Sequence, residues 1–512
     1  MTKQKTSPIT LLLALLLALG SISSCSSEAS QQVPYNVLFI AVDDMRTELN
    51  CYGSEHIHSP NIDRLASSGV RFNSAFVQQS ICMASRASLM TGYRPEQFGI
   101  YTGESVQNLV PGVTTLNKLF AANGYEVSAF GKIYHYKSDQ KEQFGEEFMD
   151  PTDKWVGRGY YTDEAIEQMH YNEAHPVKGR NHGDRGPAYE WADVPDSAYI
   201  DGYNTEFALR KLKMYKQDGK PFFMAMGFHK PHLPFNAPKK YWDLYPPESI
   251  QQPEILEPPK NSNRYTLRSW GELRNYYGMP KSTEPVGPDT TLILRRGYYA
   301  CVSYVDALIG KILDELETLE LAENTIVVLW GDHGYKLGDY GYWCKWSNMD
   351  IDTRVPLIIS VPGGKKNVST DALSELLDIY PTLADLCGLE KPDHLQGKSL
   401  VPVLEDPELE WDQDVYSVWP HDRWEYDKTI MGYAVKSARY NYIEWVKLST
   451  GEVLARDLYD HKLDPQETVN VIENPEYRGH RRDGKEMCAS KAGHRSRSSV
   501  QAKEGNHLTS LA

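Results

Sequence analysis

Asn36-Val37-Leu38-Phe39-Ile40-Ala41-Val42 is an unbroken apolar run that stops abruptly on Asp43-Asp44. A run without polar alternation reads as a strand covered on both faces. Three other runs share that form. Tyr125 to Phe130 ends in Gly131-Lys132-Ile133-Tyr134-His135, and Pro221 to Gly227 ends in Phe228-His229-Lys230-Pro231-His232. Thr325 to Trp330 ends in Gly331-Asp332-His333-Gly334. Helical patterns lie between them, at Asn61 to Ser68, Thr115 to Asn123, Asn204 to Lys216 and Tyr298 to Glu320. The alternation predicts an α/β fold, a mostly parallel central sheet with helices on both faces. In such sheets ligands bind outside the carboxyl ends of the strands, so the polar residues after four strands should converge on one site.

Asp43, Asp44 and Asp332 supply hard oxygens that suit calcium or magnesium better than zinc. Asp332-His333 repeats the pattern of polar residues at a strand end and favours a metal site. Adjacent aspartates in an extended chain point apart, so Asp43 and Asp44 can share an ion only if the strand breaks there. Cys82 stands in Ile81-Cys82-Met83-Ala84-Ser85-Arg86-Ala87-Ser88-Leu89-Met90-Thr91-Gly92, just ahead of a first helical turn at Ser85 to Met90. A helix N-terminus favours negative charge, and Arg86 argues against a merely buried thiol. Lys132, His135, His229 and Lys345 add cations and proton donors. His232 reads as structural, between Pro231 and Pro234; Trp343 and Trp346 suit either sugar stacking or the core. No GxSxG or HExxH occurs, and Gln396-Gly397-Lys398-Ser399 has Pro392 where a phosphate loop needs glycine.

The length of 512 residues predicts one large domain and a smaller one. A net charge of −15 argues against a nucleic-acid partner and leaves any anionic substrate to a local cluster of cations. Lys3, Lys5 and the apolar Leu11 to Leu19 form an export signal, and Ile22-Ser23-Ser24-Cys25 resembles a bacterial lipobox. The expected organisation is a lipoprotein signal over 1–25, a tether over 26–33, a catalytic domain over 34–405, a smaller C-terminal subdomain over 406–475, and a basic, disordered tail over 476–512. The expected location is periplasmic or cell-surface, with membrane attachment only through the lipid. Runs at Val415 to Trp419, Tyr433 to Lys436, Tyr440 to Val446 and Leu458 to Asp460 predict a small antiparallel sheet, with a helix, in the smaller part. Tyr136 to Asp196 and Pro246 to Asp289 lack periodicity and suit either pocket-lining loops or surface insertions. With Cys25 and Cys82 set aside, five cysteines remain, and their spacing selects no disulfide.

The Cys82 string resembles the type I sulfatase signature, and the likeness extends along the chain. Val42 to Arg46, His58 to Leu65, Cys82 to Pro95, Gly131 to His135, Pro221 to Pro234, Ser303 to Asp306, Asp332 to Asn348, Val355 to Leu357 and Met431 to Tyr433 carry it in order. The motifs are most similar to those of the iduronate-2-sulfatase branch, within the alkaline-phosphatase-like superfamily. The resemblance implies conversion of Cys82 to formylglycine by a maturation enzyme. It also implies a calcium ion held by Asp43, Asp44, Asp332, His333 and the converted Cys82. Arg86 would orient the hydrated aldehyde. Lys132, His229 and Lys345 would bind sulfate and protonate the leaving oxygen, and His135 would help regenerate the aldehyde. The implied substrate is a sulfated oligo- or polysaccharide, with a 2-O-sulfated uronic acid such as iduronate as the expected unit. Ala84 departs from the proline commoner in the signature, a change that anaerobic bacterial maturation systems accept. A phosphatase or phosphodiesterase of the same superfamily is disfavoured by Cys82 and the single carboxylate-rich site. A catalytically dead glycan-binding lipoprotein would have lost one of these residues, and all are present.

Overall fold

The computed structural model describes residues 34–98, 105–176, 183–268, 271–281, 284–421 and 430–477. The export signal, Cys25, the tether and the tail from Arg478 lie outside the described residues. Nine strands form the central sheet: β1 (Asn36–Val42), β2 (Val70–Phe76), β3 (Glu126–Gly131), β4 (Phe148–Met149), β5 (Phe222–Phe228), β6 (Thr325–Gly331), β7 (Arg354–Ser360), β8 (Val368–Thr370) and β9 (Ser374–Glu375). Their spatial order is β8-β2-β7-β6-β1-β5-β3-β4, with β9 also on β2. Only β7 runs against its neighbours, so the sheet is mostly parallel, as the sequence predicts.

Period-two alternation along β1 explains its continuous hydrophobicity. Leu38, Ile40 and Val42 face one core with α4 (Ile200–Asp218) and α5 (Pro288–Thr318). Val37, Phe39 and Ala41 face the other with α2 (Cys82–Thr91), α3 (Leu116–Ala122) and α6 (Ile379–Leu386). The remaining helix needed here, α1 (Pro60–Ser68), joins the first core and opens on a proline, whose missing N–H costs nothing at that position. Removing a central side chain such as Phe39 should cost about 3–5 kcal/mol. The helix expected from Tyr298 begins ten residues earlier, at Pro288, another proline placed at a first turn.

Four antiparallel strands follow as a consecutive meander: β10 (Val415–Pro420), β11 (Ile430–Lys436), β12 (Tyr440–Lys447) and β13 (Glu452–Asp460). The sheet matches expectation, but the helix expected with it is absent among the described residues of 406–475. Trp419, Ala434, Ile443 and Trp445 pack instead into the same core as Trp346 and Val355, which covers the inner face of this sheet without a helix. The described residues from Tyr35 to Tyr477 belong to one compact unit that includes both sheets. No described helix is long and apolar enough to cross a membrane.

Candidate active site

Register brings the strand ends level. Val42 pairs with Phe228 on one side and Gly331 on the other, and Gly131 pairs with Gly227. A Cβ on Gly131 would stand 2.0 Å from the Gly227 carbonyl, and one on Gly227 would stand 2.0 Å from that of Lys132. Glycine at both positions therefore lets β3 and β5 close together and delivers Lys132 beside β1. The strand break that two adjacent aspartates require is present: Asp44 takes φ 61°, in the left-handed region. Both carboxylates then turn into the same buried space.

Cys82 is the first residue of α2, so the helix begins three residues earlier than the sequence suggests. Its Sγ lies 3.1 Å from His333 Nε2. Donor atoms of Asp43, Cys82, Asp332 and His333 all lie within 4.8 Å of one another, and so do those of Asp43, Asp44, Cys82 and His232. His333 Nδ1 bonds to the Gly334 carbonyl at 2.9 Å, which assigns its proton there and turns the Nε2 lone pair toward Asp44 Oδ1, 3.3 Å away. This is a hard, anionic donor set with one correctly oriented imidazole, and it fits a divalent cation.

Three cations brace the acids. Arg86 is completely buried, donating to Asp332 at 2.8 Å, to Asp43 at 3.4 Å and to the carbonyls of Lys132 and Ile133. Lys132 Nζ bonds to Asp43, and Lys345 Nζ bonds to Asp44 at 2.9 Å. Burial raises the Asp43 carboxyl, but the charges of Lys132, His232 and Arg86 outweigh it and hold the group well below its usual range. Asp332 goes the other way: burial exceeds the help of Arg86 and His333 and pushes it up. Burial first, and the Asp43 charge next, push the Cys82 thiol well above its ordinary range, so a thiolate is disfavoured.

His229 and His135 are more exposed than the residues of the acid cluster. The His229 ring is half-buried, 3.1 Å from Asp150. His135 is exposed, with its ring edge-on to Tyr136. Crowding by surrounding atoms and the Lys132 charge nevertheless hold its imidazole well below the usual value. Three other groups, His232, Glu272 and Asp150, were not expected. His232, read as structural, does sit in a rigid turn with cis bonds at Lys230–Pro231 and Leu233–Pro234. That turn aims Nε2 into the site, 3.0 Å from Glu272 and 4.0 Å from Asp44, because Nδ1 is held by the Leu233 carbonyl at 2.7 Å. Glu272 also reaches Lys345 at 3.3 Å. Asp150 and Glu272 come from the two aperiodic stretches, so both stretches reach the site. Trp343 and Trp346 are buried in the cores and offer no sugar platform. Cys51, Cys82, Cys301, Cys344 and Cys387 are free thiols.

Comparison with known proteins shows the family. The "Sulfatase" family model matches residues 35–389, and the model "N-sulphoglucosamine sulphohydrolase, C-terminal" matches 338–490. Iduronate 2-sulfatase of Mus musculus is 32% identical over 92% of this chain and 98% of its own length. A solved 2-O GAG sulfatase superposes with TM-score 0.64 at 25% identity, over 92% of this chain and 94% of that one. Phosphonate monoester hydrolase of Agrobacterium radiobacter superposes with TM-score 0.70 at 22% identity, over 90% and 96%, a likeness of fold. The chain belongs to the sulfatase family and is a sulfuric ester hydrolase.

Proposed function

We propose that this enzyme removes sulfate from a sulfated glycan, acting at a 2-O-sulfated uronic acid, through formylglycine made from Cys82. The observation that carries the reading is Cys82 at the buried start of α2, its Sγ among the donor atoms of Asp43, Asp332 and His333. Converted by a maturation enzyme, residue 82 would supply an aldehyde hydrate as the oxygen nucleophile toward sulfur. Calcium held by Asp43, Asp44, Asp332 and His333 would supply Lewis-acid polarisation.

The chain's own residues do the rest. Arg86 fixes the carboxylates beneath residue 82. Lys132 and Lys345 flank it and bind the sulfuryl oxygens, where negative charge accumulates. His229 donates a proton to the leaving oxygen. His135, held neutral, accepts the proton whose departure frees the sulfate.

The substrate class draws support from the relatives named iduronate 2-sulfatase and 2-O GAG sulfatase. Sulfate release from defined saccharides tests it. A 2-O-sulfated uronate should exceed a 6-O-sulfated glucosamine by about 100-fold in kcat/KM, and equal rates would refute the assignment. Mass mapping of the Cys82 peptide from the native host should show sulfur lost and an aldehyde oxygen gained; an unmodified thiol refutes the nucleophile. The proposal includes export and lipid attachment at Cys25, on the strength of Lys3 to Cys25. Lipid labelling should disappear in Cys25→Ser.

A further inference from the structure

Asp150 lies outside the sulfate-binding cations and outside the metal cluster, yet the fold takes trouble to place it. β4 is only two residues long, and its pairing of Met149 with Phe130 sets the next residue beside the end of β3. There the Asp150 side chain is buried, and its Oδ1 accepts from His229 Nε2 at 3.1 Å and from Asn204 Nδ2 at 3.2 Å. The backbone under His229 is fixed independently, because Asp201 at the start of α4 accepts the N–H groups of His229 and Lys230, each at 2.8 Å.

We propose that Asp150 is a positioning residue, which anchors the His229 ring through Nε2 and orients it for delivery of a proton to the leaving oxygen. The inference rests on the reading of His229 as the proton donor. Three charged groups face that ring: Asp150 after β4, Asp201 from α4, and Lys132 after β3. Burial of the ring disfavours its charged form and Lys132 adds repulsion, but the carboxylates of Asp150 and Asp201 outweigh both, so the imidazole is held above its ordinary value. Asp150 in turn is kept ionised: burial opposes its charge, and His229 together with the Asn204 amide overcomes it.

Asp150→Asn tests this, since it keeps an oxygen for Nε2–H and removes the charge. The assay compares a sugar sulfate, whose leaving alkoxide needs a proton, with aryl sulfates of increasingly acidic phenols, which need it less. Turnover of the sugar sulfate should fall about 100-fold and that of the most acidic aryl sulfate at least ten times less. The basic limb of kcat/KM should move to lower pH, because a ring without its carboxylate loses its proton sooner. Equal losses on all substrates with an unmoved basic limb would overturn the inference. His229→Ala is run in parallel. If it shows the leaving-group dependence and Asp150→Asn does not, the positioning role alone fails. If His229→Ala shows none, the proton-donor reading fails and this inference with it. Should Asp150→Asn not fold, Asn204→Ala loosens the same carboxylate and must shift the same two readouts in the same direction by a smaller amount.

Discussion

Among the described residues, acids and histidine bring donor atoms together in two places, and only one is built for chemistry. At the strand ends, Asp43, Asp332, His333 and Cys82 crowd together with Asp44. Near the second sheet, Asp350, His461 and Glu467 also bring donor atoms within 4.8 Å. In the second cluster the carboxylates are already matched. Glu467 accepts from Asn441 at 2.6 Å, from His461 at 2.9 Å and from the Asp350 N–H at 2.8 Å. Asp350 takes the buried Lys436 at 2.7 Å. Nothing there asks for an ion. At the strand ends, by contrast, the donors include the Cys82 sulfur at a helix start and an imidazole whose Nε2 lies 3.3 Å from Asp44, and the exposed His135 and half-buried His229 both feel the Lys132 charge. Proximity of donors alone makes a knot; donors gathered at strand ends beside a helix start make a site.

The largest effect should come from Cys82→Ala, which would lower sulfate release by more than about 10,000-fold while the melting temperature holds. Retained turnover would remove residue 82 from the chemistry. Next comes Asp332→Asn, for which bound divalent metal should fall below stoichiometric and kcat/KM drop about 1,000-fold, with chelation of the wild type giving the same loss. The matching change in the other cluster, Glu467→Gln, should leave bound metal unchanged. Metal analysis of the two variants side by side separates the clusters, and a metal loss in Glu467→Gln would break the comparison.

A smaller, purely structural effect is expected from Lys436→Met. It strands the Asp350 carboxylate, whose charge burial opposes and Lys436 sustains, and should cost about 3 kcal/mol in urea unfolding. Adding Asp350→Asn should recover much of that, because the uncompensated charge is then gone. Failure of the double variant to recover would mean that Lys436 acts through packing over Phe76, 5.0 Å from its ring centroid, more than through charge.

How much of this was written legibly in the chain follows from periodicity. Strands buried on both faces have to be apolar throughout, so β1, β3, β5 and β6 announce themselves, and the polar residue after each strand marks the site. The convergence of Asp43, Asp44, Lys132, His229, Asp332 and His333 was readable for that reason. Glu272 and Asp150 were not, since they arrive from stretches whose course is set by tertiary contacts and leaves no pattern. The place of His232 was not readable, because the prolines on either side of it say nothing about where the turn points. The start of α2 at Cys82 was obscured by the absence of a capping side chain at Ile81.

The smallest predicted effect concerns pH and belongs to the second cluster alone. Burial disfavours a charged His461, but the hydrogen bond to Glu467 and the charge of Asp350 outweigh it and raise the imidazole above its ordinary 6.5. A folded-state value raised above the unfolded one means the folded protein binds the proton more tightly. The stabilisation is therefore complete below about pH 6.5 and is lost as pH rises through the higher folded value. His461→Gln should lower the melting temperature most on the acid side of that window and converge with the wild type above it. Sulfate release per folded molecule should keep its pH profile, because this histidine serves the knot and not the site. A displaced activity profile in His461→Gln would tie the two clusters together after all.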